Sequence, residues 1–280
     1  DLLAAYGEVG FAYLVGHGID DALVADVFAA SAEFHALPLA DRMAIALDAN
    51  HRGFIPIDTS TDRTSTLAEV TRPNQSESFM MMRDSEPGDY LAGHNQWPDL
   101  PGFRGRVERY HDAMWQLGLR LVDLVADALD DATGTIRSAF DPPTTWLRLL
   151  HYPPVPASAP DDLYGSAPHC DFGFLTLLAQ DDVGGLQVQT PDGEWVDVPP
   201  RPGAFVMNVG DMLHRWSNGR LRSTPHRVLN RGGRERYSVP FFFDPHVSTV
   251  IRPLGGPPRF DTIEFGDFVR SQLTATYDAH

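Results

Sequence analysis

Thiol chemistry is almost absent from this chain: its 280 residues include one cysteine, Cys170. An intramolecular disulfide is therefore excluded, and a reducing cytoplasm is the expected setting. Positive charge is scarce too, with 22 basic residues against 38 acidic ones, a formal net charge of −16 and a pI near 4.9. That balance argues against nucleic acid or an anionic membrane surface as a partner. Long apolar runs are missing; none approaches the roughly 18 residues that a membrane span needs. The opening residues, Asp1 to Glu8, lack the basic and apolar segments of a signal peptide. No initiator methionine is present, so the native start is expected to lie upstream. Fixed-period repeats and low-complexity tracts are also missing. What is there suits a folded enzyme-sized unit: 42% hydrophobic and 10% aromatic residues, enough for a sizeable core. A monomer acting on a small molecule is the expectation.

The first third reads as helices. Leu23, Val24, Val27, Phe28 and Ala30 recur at helical spacing, which predicts a helix over Ile19 to Phe34. Between Asp48 and Pro101 the periodicity fades and Thr, Ser, Asp, Pro and Gly accumulate, predicting a long irregular region with a functional role. Phe103 to Leu129 carries Val107, Tyr110, Met114, Leu117, Leu121, Leu124, Val125 and Leu129 on one stripe, the pattern of a scaffold helix. From about Trp146 short strands take over. They are expected at 147–152, 174–179, 186–189, 195–198, 204–209, 226–229 and 237–243, with Asp192-Gly193 as a hairpin turn. A last helix is expected over Ile263 to Tyr277. The expected fold is mostly β with flanking helices, a double-stranded β-helix (jelly roll) core in a single domain, 1–280. Within it, 1–145 supplies helical support and substrate loops, 146–245 the jelly roll, and 246–280 the C-terminal helix.

One triplet carries most of the chemistry. On a strand His169 and Asp171 would share a face while Cys170 points away. An imidazole and a carboxylate side by side are two-thirds of a facial metal site, the arrangement of non-haem Fe(II) with open positions for O2 and a co-substrate. Two later histidines could complete it. His214 sits beside Arg215 and Trp216, a setting more typical of packing; His226, at the start of a strand, is favoured as the third ligand. Downstream, Arg236 and Ser238 also alternate onto one face, where a guanidinium fork and a hydroxyl suit a carboxylate. Met80-Met81-Met82 reads as buried packing, with a flexible pocket wall as the alternative.

Taken in order, these residues resemble a known family. His169-Cys170-Asp171, Gly184-Gly185-Leu186-Gln187-Val188, Pro202-Gly203-Ala204-Phe205, Asn208-Val209-Gly210-Asp211, Trp216-Ser217-Asn218-Gly219, Ser223-Thr224-Pro225-His226-Arg227-Val228 and Arg236-Tyr237-Ser238 follow its pattern. Upstream, Gly10 to Ile19 and Asn95-Gln96-Trp97-Pro98 are similar to it as well. The string resembles the isopenicillin N synthase-like branch of the Fe(II)/2-oxoglutarate-dependent dioxygenases, over nearly the whole chain. The resemblance implies the jelly-roll core, iron on His169, Asp171 and His226, and 2-oxoglutarate chelating that iron by its keto-acid end. It further implies Arg236 and Ser238 on the far carboxylate, with Tyr152 touching it too, O2 as oxidant and ascorbate as a stimulant. Asn208 and Leu186 lie in segments that line the family's pocket. Two alternatives stay open at this point. Isopenicillin N synthase keeps the Arg-x-Ser pair without using 2-oxoglutarate, and a non-catalytic jelly-roll binding protein would share the fold.

Overall fold

The computed structural model describes residues 2–60, 67, 70–156, 158–160 and 162–277, with side chains as far as Thr274. The chain begins with helix α1 (Leu2–Glu8), strand β1 (Phe11–Val15) and helices α2 (Asp21–His35) and α3 (Leu39–Met43). Strands β2 (Gly53–Ile55) and β3 (Glu77–Met82) precede the long helix α4 (Phe103–Ala128) and the short α5 (Thr135–Ser138). Strands β4 (Thr144–Tyr152), β5 (Ser166–His169), β6 (Leu175–Gln180), β7 (Leu186–Gln189), β8 (Trp195–Asp197) and β9 (Ala204–Val209) follow. Helix α6 (Asp211–Trp216), strands β10 (His226–Val228), β11 (Arg236–Asp244), β12 (Val250–Ile251) and β13 (Ile263–Glu264), and helix α7 (Phe265–Tyr277) complete the order.

The strands form a seven-stranded sheet, β1-β9-β6-β11-β4-β3-β2, a four-stranded sheet, β5-β10-β7-β8, and the small pair β12-β13. All ladders in the two large sheets are antiparallel. Strand β11 is central, bonded along its length to β4 on one side and β6 on the other. The helices cover the outer face of the large sheet and bury most of the core there, among them Phe34, Val107, Tyr110, Met114 and Phe241. Helix α4 comes so close that a Cβ at Gly118 would sit 2.7 Å from the Phe243 ring, so glycine is required at that crossing. On the inner face the apolar filling is small: Leu150, Tyr152, Leu186, Val206 and Val228 join the two sheets. The jelly roll is thus packed from outside by helices and left sparsely filled between its sheets, where a cavity can form.

Local chemistry explains the element ends. Asp20 caps α2 by accepting from the Ala22 amide at 2.9 Å. The predicted stripe on α4 is buried except for Leu124, which points outward and is 55% exposed. The expected strands from 147 onward are present with ends shifted by a few residues at most, and 186–189 and 204–209 hold as read.

Three expectations need correction. The first third is not all helix: Phe11–Val15, rich in aromatic and branched residues, pairs with β9 at the edge of the large sheet. The irregular region contains β2 and β3, and β3 adds to β4. Its sequence, Glu-Ser-Phe-Met-Met-Met, is buried at every position, so it shows no alternation that could reveal a strand. Met80, Met81 and Met82 are therefore packing residues of this strand. The last helix starts at Phe265, because Ile263 and Glu264 pair with β12 instead. Residues 61–66 and 68–69 of the irregular region lie outside the described residues.

Candidate active site

His169 is the last residue of β5 and His226 the first of β10, and the ladder sets them directly opposite each other. Their rings lie 4.3 Å apart, centroid to centroid. Each Nδ1 faces a backbone carbonyl two residues back, Ala167 at 2.7 Å and Thr224 at 3.3 Å. A carbonyl can only accept, so each Nδ1 carries a proton, and each Nε2 is the ring atom left to face a metal. Both Nε2 atoms turn to Asp171 Oδ1, at 3.8 Å from His169 and 3.7 Å from His226.

Asp171 arrives by a different route from the one its spacing suggested. Strand β5 ends at His169, and Asp171 belongs to the turn that follows, so strand alternation does not account for its direction. The turn is pinned instead. The Asp171 carbonyl accepts from the Asp211 amide at 2.8 Å, and the Phe174 amide donates to the buried Asp244 carboxylate at 2.6 Å. Gly173 fits because a Cβ there would lie 2.1 Å from Asp244 Oδ1. Asp171 Oδ2 accepts from the Asn208 amide at 2.6 Å and from the Thr176 hydroxyl, leaving Oδ1 turned to the imidazoles. Burial by itself would raise the carboxyl's pKa; the two imidazoles and these two hydrogen bonds outweigh it and hold the pKa below the usual range.

The ligand-capable atoms of His169, Asp171 and His226 all lie within 4.8 Å of one another, the one such group among the described residues. Two imidazole nitrogens and one carboxylate oxygen on one side fit a divalent first-row metal of the iron type. The outer hydrogen bonds that fix each ligand's tautomer and direction are those a metal site requires. His214 stands apart on α6, its Nδ1 facing the Leu221 carbonyl at 2.6 Å and its ring against Phe260. Cys170 is half-buried, and burial pushes its thiol up to about 12.

The same cavity reaches Tyr152, Arg236 and Ser238 across the large sheet. Arg236 is fully buried, 0% exposed, with Nε donating to the Gly184 carbonyl, Nη1 to Ser238 Oγ at 3.3 Å and Nη2 to Gln180 Oε1 at 3.3 Å. Its guanidinium lies 4.5 Å over the ring of Tyr152, its partner in the β4–β11 ladder. Among the described residues no carboxylate pairs with it. The chain contains no lysine at all, so the choice of arginine is uninformative here; the burial of an unneutralised cation is the informative fact. Asn208 and Leu186 also line the cavity, as do Phe11, Leu178 and Phe242. The sequence does not reveal the roles of Gln180 and the Gly184 carbonyl, because they stand 56 and 52 residues from Arg236; Thr176, five residues after Asp171, is within reach.

Comparison with known proteins agrees with this geometry. Residues 143–245 match the 2OG-Fe(II) oxygenase superfamily model, and residues 1–100 match the model described as non-haem dioxygenase in morphine synthesis N-terminal. The 2-oxoglutarate-dependent dioxygenase citB of Monascus ruber is 38% identical, covering 99% of this chain and 89% of that protein. The homoarginine-6-hydroxylase 2-ODD-233 of Oryza sativa subsp. japonica is 32% identical, covering 96% and 86% respectively. Among solved structures, a full-length Neurospora crassa protein crystallised in complex with alpha-KG superposes with a TM-score of 0.87. The identity there is 29%, with 98% of this chain and 89% of that chain covered.

Proposed function

From the premise that this chain belongs to the 2OG-Fe(II) oxygenase superfamily and is an Fe(II)/2-oxoglutarate-dependent dioxygenase, we infer that His169, Asp171 and His226 hold its iron. We assign the far carboxylate of 2-oxoglutarate to Arg236, Ser238 and Tyr152. The reaction couples oxidative decarboxylation of 2-oxoglutarate, to succinate and CO2, with oxidation of a small-molecule substrate. The observation that carries the residue assignment is one cavity with two complementary ends: a His-Asp-His donor set and a buried cation seated on neutral groups.

The protein's share of the work is orientation. Iron bound to the triad would supply O2 activation and the oxidising power. Ala167 and Thr224 hold the two imidazoles by Nδ1, with Nε2 turned to the metal position. Asn208 and Thr176 turn Asp171 so that one oxygen stays directed at the metal position. Gly184, Gln180 and Ser238 aim the Arg236 fork, and Leu186, Val228 and Leu178 add apolar lining to the same cavity. Hydroxylation, desaturation and ring closure differ only in substrate pose on this same frame.

The remaining assignments are finer. We read residues 1–280 as a single oxygenase domain, since β1, β2 and β3 complete the sheet built by the second half. O2 is the oxidant, and ascorbate stimulates by keeping iron reduced. We place the reaction in a reducing cytoplasm, on the strength of the single thiol, and in secondary metabolism, with the enzyme acting as a monomer. The deciding experiment is a substrate screen under Fe(II) and ascorbate in which succinate and oxidised product are both measured. Stoichiometric succinate is expected. Product without succinate would instead indicate the isopenicillin N synthase type of oxidase.

A further inference from the structure

A second guanidinium enters the cavity, and neither the metal nor the co-substrate accounts for it. Arg148, Leu150 and Tyr152 alternate along β4 and all three line the cavity. On the adjoining β11 the matching row is Phe242, Pro240, Ser238 and Arg236. Tyr152 is paired with Arg236 and Leu150 with Ser238, so Arg148 lies at the opposite end of the row from the anchor. Four residues of strand separate it from Tyr152, about 13 Å at roughly 3.3 Å per residue.

The two arginines are mounted alike. Arg236 donates to Ser238 Oγ; Arg148 donates to Ser78 Oγ on the neighbouring β3, at 2.9 Å from Nη2 and 3.3 Å from Nε. That hydroxyl is the only acceptor Arg148 has among the described residues. The guanidinium therefore keeps N–H donors unspent among the described residues. In a chain with 38 acidic residues, a cation in a cavity with no acid paired to it among the described residues is unusual. The one carboxylate lining the cavity, Asp171, is taken up by Asn208, Thr176 and the two imidazoles. The cavity's further lining among the described residues includes the apolar Leu150, Pro240 and Phe242 and the neutral Ser60 and Ser76.

A cation so placed fits an anion with an apolar body. The co-substrate cannot be that anion, because one of its carboxylates goes with the keto group to the metal and the other to Arg236. Building on the oxygenase reading above, we propose that Arg148, seated on Ser78, binds a carboxylate of the prime substrate, so that this enzyme oxidises small apolar carboxylic acids. A planar fork meeting a carboxylate gives a paired, directional contact, which would fix the substrate end-on and leave its carbon skeleton between Phe242 and the metal ligands.

The test is a binding experiment on the iron-loaded enzyme held anaerobically with 2-oxoglutarate. Iron content and 2-oxoglutarate affinity are measured first. Phenylacetate, 3-phenylpropanoate, benzoate and octanoate are then titrated by calorimetry, each beside its methyl ester. At least one acid should bind about tenfold or more tightly than its ester, and Arg148→Gln should erase that preference. Arg148→Lys, which keeps the charge and the packed stem, should retain part of it and serves as the folding control. The effect should fall on the acids and not on 2-oxoglutarate. Equal binding of acids and esters, binding of no acid in the panel, or an acid preference that survives Arg148→Gln would each overturn the proposal. A wild-type enzyme that takes up neither iron nor 2-oxoglutarate would overturn the underlying reading as well, so the two failures are distinguishable.

Discussion

The two walls of the cavity manage charge in opposite ways. At the smaller sheet and the turn after β5, a buried carboxylate is surrounded by partners: two imidazoles, with an amide on β9 and a hydroxyl on β6 reaching it from the large sheet. On the large sheet, Arg236 is buried as deeply, yet its donors meet only neutral oxygens, from Gly184, Ser238 and Gln180. Taking an ion out of water costs several kcal/mol even where partners await it, so neither arrangement is there for stability alone. The carboxylate wall is tuned to keep one oxygen and two nitrogens converging as donors. The arginine wall keeps a positive charge oriented, with no carboxylate paired to it among the described residues. A molecule that is anionic at one end and metal-chelating at the other satisfies both walls together.

Cutting the donor wall should have the largest effect. His169→Ala, Asp171→Ala and His226→Ala are each expected to abolish iron uptake and succinate formation while circular dichroism stays that of the native fold. His214→Ala, by contrast, should keep both, since its Nδ1 serves the Leu221 carbonyl away from the triad. Iron content after anaerobic reconstitution is the readout. Loss of iron in His214→Ala with retention in His226→Ala would reverse the choice of third ligand.

Loosening that wall without cutting it should cost less. Asn208→Leu and Thr176→Val each remove one hydrogen bond from Asp171 Oδ2 and leave all three ligands in place. Outer partners of metal ligands contribute about 10–100-fold in metal affinity, and each variant should weaken iron binding within that range. A competition titration against a calibrated chelator would measure it. Unchanged affinity in both variants would mean that the turn from Asp171 to Phe174 orients the carboxylate without them.

The arginine wall breaks differently, through the co-substrate. Charge-assisted bonds of the kind assigned to Arg236 contribute about 1.5–3 kcal/mol each, so Arg236→Ala should raise the 2-oxoglutarate KM by at least about tenfold. Arg236→Lys should recover only part of that, because an ammonium cannot make the fork or lie flat over Tyr152. Iron affinity should hold in both variants, in contrast to the first wall. If instead the prime substrate's KM rises while that of 2-oxoglutarate stays level, the carboxylate at Arg236 belongs to the substrate.

The same contrast explains what could be read from the residue string. His169 and Asp171 stand two apart, and His226 opens a run of strand character, so the donor wall announces itself locally as a candidate. Arg236 and Ser238 do the same for the arginine wall. The supporting partners do not, because Asn208 stands 37 residues from Asp171 and Gly184 stands 52 from Arg236. Arg148 looks like one charged interruption in Leu-Arg-Leu-Leu until the ladder shows which face of β4 is inward. Strand β3 was hidden for the reverse reason, being buried on both faces with no alternation to betray it. Even the readable triplet was read through the wrong geometry: the turn after β5, not strand alternation, brings Asp171 to the histidines.

Cys170 sits between the two ligands of the triplet and sharpens the comparison by its expected silence. A thiolate beside iron would compete with the imidazoles, so the protein must either use this sulfur or keep it protonated. Burial does the latter, pushing the thiol up to about 12, with the nearby Asp211 and Asp171 carboxylates adding to the shift and a hydrogen bond with Ser223 opposing it. A thiol held that far above its ordinary value stays protonated near neutral pH and serves as neither a nucleophile nor a ligand. The converging atoms come from His169, Asp171 and His226 and do not include this sulfur. Cys170→Ala and Cys170→Ser should therefore keep their iron and most of their succinate formation, and native wild-type enzyme should react with iodoacetamide only slowly. A Cys170→Ser enzyme that takes up no iron, or rapid alkylation that displaces it, would place the sulfur inside the donor wall and redraw the boundary between the wall that binds metal and the turn that carries it.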